Sequence, residues 1–340
     1  MLWNKHRRDL AGIALRMSSG YSRGVVEDLA LPRLDDVEVA ARCIEGKAHQ
    51  TAVLTCGALD TRAEAELFFK CENFQKTGAF KFRGATNAVE QLDDTVTAVA
   101  THSSGNHGAA LAAAARERGI AAHVVMPENA AAVKRRAVEN YGGQVVACEA
   151  TLEAREVTLE RVVKKTGAVF IPPFNHPHII AGQGTAALEL LDAVEGLEVV
   201  VAPVGGGGLV SGTGIVAKER RVDVFGAEPE QADDAARSFR SGKIEPANSN
   251  TIADGLLTSL GPLTFAAIRE TVADVVTVSE AEIVAALRLT WERMKIVIEP
   301  SSAVAVAAVL KDERFRGRRV GVILSGGNVD LDSLHRIFNL

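Results

Sequence analysis

Lys81 stands between Phe80 and Phe82 in the stretch "ENFQKTGAFKFRGATNAV" (72–89), whereas Lys76 has polar company. Held among apolar groups, an amine has a lowered pKa because desolvation disfavours the ammonium, and the neutral form can build a Schiff base with a carbonyl. The other reading is a surface cation on a partly apolar segment. A second feature is "EVVVAPVGGGGLVSGTG" (198–214), a strand pattern, four consecutive glycines and a helix start. Without side chains, Gly205, Gly206, Gly207 and Gly208 let successive amides converge on an anion, and the helix N-terminus adds its positive dipole end. This is neither a Gly-Lys-Ser/Thr phosphate loop nor a dinucleotide fingerprint, so it indicates phosphate without indicating a nucleotide; the plainer alternative is a flexible glycine turn.

Two further loops have related chemistry. In "ATHSSGNHGAALAAAARERG" (100–119), Ser103, Ser104, Asn106 and His107 are packed between a strand and an Ala-rich helix. Several donors at a helix N-terminus suit a carboxylate, although one elaborate N-cap would use part of the same set. "ILSGGNVDLD" (323–332) again leads from a strand into Ser325 and two glycines. A phosphate cradle together with a Schiff-base lysine is what pyridoxal 5'-phosphate requires.

These loops need a scaffold. Helical patterns near 34–46, 108–118, 130–140, 152–165 and 180–194 interleave with β-branched runs at 97–101, 122–127, 143–148, 198–204, 222–229, 274–279 and 319–327. Apolar runs separated by helical lengths predict parallel strands with crossover helices, an α/β protein whose ligands sit beyond the carboxyl ends of strands. At 340 residues and 47% hydrophobic, the chain can bury one large core or two modest ones. A net charge of -5, without a basic aromatic stripe, argues against nucleic acid. No apolar run is long enough to span a bilayer. Cys43, Cys56, Cys71 and Cys148 lack disulfide or metal spacing, which suits reduced thiols in the cytoplasm. Residues 1–32, rich in Arg and Ser and poor in acids, read either as a targeting peptide or as a disordered extension or misassigned start with Met17 as the alternative initiator.

The motifs "GAFKFRGA", "SSGNHG", "AGQGT" (181–185), "GGGGLVSG", "AEPEQADD" (227–234), "IADG" (252–255), "IEPSSA" (298–303) and "LSGGNVD" resemble, in order and spacing, the serine racemase and serine/threonine dehydratase (ammonia-lyase) family, in the branch shared with 3-hydroxyaspartate dehydratases. The resemblance runs from about residue 34 to the C-terminus. It implies a fold type II, tryptophan synthase β-like α/β enzyme with two open, twisted, mostly parallel sheets. Residues 33–92 and 176–340 would form a large cofactor domain, and 93–175 a small domain that closes over it.

The same resemblance implies a role for each matching residue. Lys81 would carry pyridoxal phosphate and move the α-proton; Phe80 would pack beside the cofactor ring. Asn106 would bond its hydroxyl, and Gly205 to Gly208 with Leu209 would hold the phosphate. Ser325 would face the ring nitrogen, where a hydroxyl, unlike a carboxylate, does not demand protonation and so suits elimination better than transamination. Glu299 would act on the cofactor electrostatically, or else serve as an acid opening a helix before Pro300. Ser103, Ser104, Asn106, His107 and Arg155 would bind substrate. Ser104 also stands where racemases place the hydroxyl that protonates the face opposite the lysine. Taken alone, Arg155 beside Glu153 and Glu156 would read as a surface residue. Glu228, Asp234 and the Ala232 carbonyl would hold a divalent cation, Mg²⁺ or Ca²⁺ with Mn²⁺ as a further option, or the acids simply begin a helix.

The implied reaction is α,β-elimination of a β-hydroxy amino acid to a 2-oxo acid and ammonia, with serine racemisation as an accompaniment. Serine, threonine and 3-hydroxyaspartate stay open as substrates. "PPFNHPH" (172–178), with Phe174 where an asparagine is expected, departs from the vertebrate racemase pattern and puts nucleotide activation in doubt. The short reach beyond "SGGNVDLD" gives no expectation of an isoleucine-sensing domain. A homodimer is expected. Outside the enzyme class, a non-catalytic phosphate-ligand binding protein would need the glycine loop but not the amine of Lys81.

Overall fold

A computed structural model describes residues 30–247 and 250–339. The extension expected over 1–32 lies, up to residue 29, outside the described residues. The chain first forms α1 (Leu34–Ile44), β1 (Val53–Leu54), α2 (Gly57–Ala63), β2 (Glu66–Cys71) and α3 (Lys81–Glu90). Next come β3 (Ala98–His102), α4 (Asn106–Arg118), β4 (Ala121–Pro127), α5 (Ala132–Asn140), β5 (Gln144–Cys148), α6 (Leu152–Thr166) and β6 (Val169–Phe170). The remainder is α7 (Pro177–Ala193), β7 (Val199–Pro203), α8 (Gly208–Arg220), β8 (Asp223–Pro229), α9 (Asp234–Ser241), α10 (Pro262–Thr271), β9 (Asp274–Val278), α11 (Glu280–Met294), α12 (Pro300–Lys311), β10 (Arg319–Leu324) and α13 (Leu334–Ile337).

Two sheets result. The larger has the order β1-β2-β10-β7-β8-β9, parallel except for β1 against β2; the smaller, β5-β4-β3-β6, is parallel throughout. Every residue of β7 is buried, as expected of a central parallel strand covered on both faces. α12 is apolar nearly all round and buried along its length, part of one core with β2, β7 and β10.

The mixed run "ELFFKC" gives no clear strand pattern, yet β2 lies inside the larger sheet between β1 and β10. Lys70 breaks the apolar run but is itself buried, its Nζ donating to the Thr51 carbonyl and to Glu189 on α7. "AGQGT" also proves to be a packing motif. A Cβ on Gly182 would stand 2.6 Å from the Gly84 Cα, and one on Gly212 would stand 2.5 Å from the Gly184 nitrogen. Helix α7 therefore meets α3 on one side and α8 on the other at backbone-to-backbone distance, which only glycine permits. These contacts join the helix that begins at Lys81 to the helix that begins at the glycine loop.

A buried ionic clamp fixes α3 further. Arg83, with no exposed surface, donates from Nε to Glu72 Oε2 (2.7 Å), from NH2 to Glu72 Oε1 (2.8 Å) and from NH1 to Glu189 Oε1 (2.6 Å). NH1 also reaches Thr185 Oγ1 at 3.2 Å, and Thr51 Oγ1 donates to Glu72 at 2.6 Å. Burial pushes the Glu72 carboxyl upward, but the Arg83 guanidinium wins and holds it below the usual carboxylate range.

Candidate active site

The loops after β3, β7 and β10 all open at strand carboxyl ends, where parallel sheets bind ligands. Lys81 is the first residue of α3. The turn before it is pinned to the loop after β10: the Phe80 amide donates to the Ser325 carbonyl (3.0 Å), Gly327 donates to the Gly78 carbonyl (2.9 Å), and Asn328 Nδ2 donates to the Thr77 carbonyl (2.7 Å). Thr77 has φ near 62°, an unfavourable backbone for a β-branched residue that persists only where surrounding contacts enforce it.

Lys81 Nζ donates to the Pro173 carbonyl at 2.8 Å and lies 5.0 Å from the centre of the Phe80 ring. It meets no carboxylate among the described residues, and burial lowers its pKa to about 8. Lys76 differs in kind: it is a third exposed and forms an ion pair with Glu117 at 2.9 Å. Of the two lysines, Lys81 is the sheltered one, and its lowered pKa lets the neutral amine gain population as pH approaches 8.

The glycine loop fits a phosphate monoester. The amides of Gly205, Gly206 and Gly207 donate to no protein acceptor among the described residues. Gly208 and Leu209 open α8, where first-turn amides have no partner within the helix. Gly207 has φ near 85°, and a Cβ on Gly206 would fall 2.3 Å from the ring of Phe174. Pro173 thus holds the lysine while its neighbour Phe174 covers the glycine loop, which brings amine and anion cradle to one place.

Asn106, the first residue of α4, crosses from the smaller sheet to the larger. Its Nδ2 donates to Glu299 Oε1 (2.9 Å), and its Oδ1 accepts from Asn328 Nδ2 (3.0 Å). Burial first, and then Asp254, pushes the Glu299 carboxyl up to about 8 despite that hydrogen bond and the nearby Lys134. Glu299 thus faces the site rather than only opening α12. Ser325 is buried on the loop after β10, where the next residue's carbonyl, that of Gly326, accepts from the Glu299 amide at 3.0 Å.

The expected substrate residues divide. Ser104 is exposed, and its hydroxyl forms no hydrogen bond among the described residues. Ser103 Oγ instead accepts from the Gly105 and Gly108 amides, so it shapes the loop. His107 is buried with Nε2 3.1 Å from the Ile171 carbonyl oxygen; burial and then Lys81 lower its pKa to about 3, which keeps it neutral. Because a carbonyl only accepts, Nε2 holds the proton and the buried Nδ1 keeps a bare lone pair. Arg155 pairs with neither Glu153 nor Glu156, and its Nε is buried without a partner.

At the expected cation position, Glu228 Oε1 and Oε2 accept from the Ala235 and Ala236 amides at 3.0 and 2.9 Å, so Glu228 caps α9. Both oxygens of fully buried Asp234 lack a hydrogen-bond partner. Burial pushes both carboxyls up, Asp234 to about 6, and the Asp234 charge adds to the rise at Glu228. Orphaned buried carboxylate oxygens beside a second carboxylate fit a cation. No group of three His, Cys, Asp or Glu side chains is gathered for a metal among the described residues, so such an ion would draw on carbonyls and water.

Thr77, Asn328 and Asp254 carry a sequence signal only through their motifs, and Lys134, within a plain helical pattern, carries none.

A family profile described as pyridoxal-phosphate dependent enzyme matches residues 44–326. The chain belongs to that family. It is 50% identical over 325 residues to a serine racemase of Dictyostelium discoideum, covering 92% of this chain and 100% of that protein. It is also 50% identical over 312 residues to a beta-hydroxyaspartate dehydratase of Paracoccus denitrificans, covering 89% and 98%. The crystal structure of the T.th. threonine deaminase superposes with a TM-score of 0.85 at 40% identity, covering 88% of this chain and 99% of that one. The α/β architecture is the fold type II arrangement, and the dependence on pyridoxal phosphate follows from family membership.

Since burial holds the Lys81 amine near a pKa of about 8, the deprotonated form that reacts with an aldehyde gains population as pH rises through that value. Uptake of pyridoxal phosphate by apoprotein, followed by visible absorbance, is expected to accelerate across pH 8 and level off well below the ordinary lysine value of 10.5. A rate that keeps rising to pH 10.5 would show a solvated amine at work.

Proposed function

We propose that the chain is an ammonia-lyase that eliminates the β-hydroxyl from L-serine or L-threonine, giving a 2-oxo acid and ammonia, with interconversion of serine enantiomers as a second activity. The observation that carries the reading is the sheltered Lys81 amine, hydrogen-bonded to the Pro173 carbonyl next to the residue that covers the glycine loop. Relatives that include a racemase, a dehydratase and a deaminase support both outcomes. 3-Hydroxyaspartate is the alternative substrate, favoured by the dehydratase relative and by the unpaired Arg155.

When bound, pyridoxal phosphate supplies the electron sink that acidifies the α-carbon of an attached amino acid. Gly205 to Leu209 would hold its phosphate, Asn106 its ring hydroxyl and Ser325 its ring nitrogen. Lys81 Nζ then serves as the base for the α-proton, its lowered pKa matching that task near neutrality. Ser104, the amides around it and Arg155 would receive the substrate carboxylate, and movement of residues 93–175 toward the larger sheet would exclude water. Ser104 would supply the proton on the opposite face. Glu228, Asp234 and the Ala232 carbonyl would hold Mg²⁺ or Ca²⁺. A homodimer and a cytoplasmic setting belong to the same proposal, supported by the exposed Phe74 and Val297 and by four unpaired cysteines. No helix among the described residues is long and apolar enough to cross a membrane.

Purified protein offered serine, threonine and 3-hydroxyaspartate is expected to release 2-oxo acid and ammonia. Ser104→Ala should abolish D-serine formation from L-serine while L-serine elimination persists at a reduced rate, since its proton remover is untouched. A wild type that forms no D-serine would remove the racemase part; an alanine variant that still racemises would refute the two-face assignment.

Chelation is expected to lower the melting temperature, with Mg²⁺ restoring it, because a ligand of the native state alone stabilises by mass action; the gain is about 2.7 kcal/mol at a hundredfold excess over its dissociation constant. An identical melt in protein shown to be metal-free would leave Glu228 as a helix cap only.

A further inference from the structure

Lys134 and Asp254 form an ion pair that joins the two sheets at the mouth of the site. Lys134 lies in the first turn of α5, which packs beside α4 and the smaller sheet. Asp254 opens a short turn, Asp254–Leu256, that packs against α12 beside the larger sheet. Lys134 touches one of the two ligand loops, and the residue after Asp254 touches the other. The Lys134 side chain lies 3.6 Å from where a Cβ on Gly105 would stand, directly before Asn106. Next to Asp254, the Gly255 carbonyl lies 3.1 Å from the corresponding point on Gly205, and the Gly255 amide donates to Ser301 Oγ at 2.9 Å. Both charges also reach Glu299, Asp254 raising its pKa and Lys134 lowering it.

The geometry points to Lys134 as a positioning residue: through Asp254 it holds the Ser103–Asn106 loop against the larger sheet, in the place where Asn106 meets Glu299. This rests on the reading of that loop as the seat of the substrate carboxylate. Asp254 is nearly half exposed, its side chain at 47%, so the pair does little for global stability. Its effect is local, since separating the sheets along this seam must separate the two charges. Without the pair, the loop would sample positions in which the carboxylate donors are out of register, and substrate binding would bear the loss more than turnover.

The test uses holoenzyme carrying Lys134→Met, Asp254→Asn, or the reversal Lys134→Glu with Asp254→Lys. Both single variants are expected to keep cofactor absorbance and melting temperature while kcat/KM for L-serine or L-threonine falls by roughly tenfold, mostly through KM. The reversal should recover most of that loss, since it restores the attraction across the seam; a merely structural role would instead lower the melting temperature of the single variants. Hydrogen exchange of the amides at 103–108 in the same holoenzymes provides a readout independent of turnover: faster in both single variants, protected again in the reversal. If the wild type turned over no β-hydroxy amino acid, the functional reading would fail and exchange alone would judge the pair. Unchanged exchange in the single variants, or a reversal no better than either, overturns the proposal.

Discussion

The site depends on a guanidinium removed from water two residues beyond the reactive lysine. Arg83 is forked on one side to Glu72, at the end of β2, and on the other to Glu189 on α7. Separating charges from water is expensive, and an arrangement of this kind survives only when every donor is matched, so the three elements have little freedom to shift relative to one another. Breaking one arm would leave an uncompensated buried charge, at a cost of about 3–5 kcal/mol. That rigidity reaches Lys81 directly. The first turn of α3 holds both the amine, at its N-terminal edge, and the clamp, so the amine inherits the placement of Arg83. The glycine contacts of α7 with α3 and α8 carry the same constraint to the phosphate loop.

Two sheets meet at the site. The turn that carries the amine is tied to the Ser325 loop by backbone bonds from Phe80 and Gly327 and by the side chain of Asn328, while the glycine loop joins through Phe174 and the close packing of α8 on α7. The loop after β3 reaches this assembly through Asn106, bonded to Glu299 and Asn328, and the neighbouring helix α5 reaches it through Lys134, paired with Asp254. Burial tunes ionisable groups in both halves: it lowers the pKa of Lys81 and of His107 and raises that of Glu299.

Much of this is legible in the sequence because parallel strands buried on both faces are written as unbroken apolar runs, and because loops at their carboxyl ends must be glycine-rich to admit a ligand. Strand β2 is not legible, since Glu66 and Lys70 interrupt it and nothing local shows that Lys70 is neutralised by Glu189, distant in sequence. Gly84, Gly182, Gly184 and Gly212 read as motif residues although their demand is steric and emerges only when α7 is laid between α3 and α8. The bond from Asn106 to Glu299 spans 193 positions and the one from Asn328 to Asn106 spans 222, and an asparagine in a turn carries no local sign of such a partner. Ser103 reads with Ser104 as a carboxylate donor, and nothing local shows that its hydroxyl oxygen also accepts from the Gly105 and Gly108 amides, which shapes the loop while leaving its O–H free to donate.

The central claim is that Lys81, and not the neighbouring Lys76, is the amine around which the site is built. Borohydride reduction of the yellow holoenzyme followed by peptide mapping tests it most directly. The account predicts a single modified peptide with the cofactor mass on Lys81. Label on Lys76, or a cofactor released without label on any lysine, would contradict it.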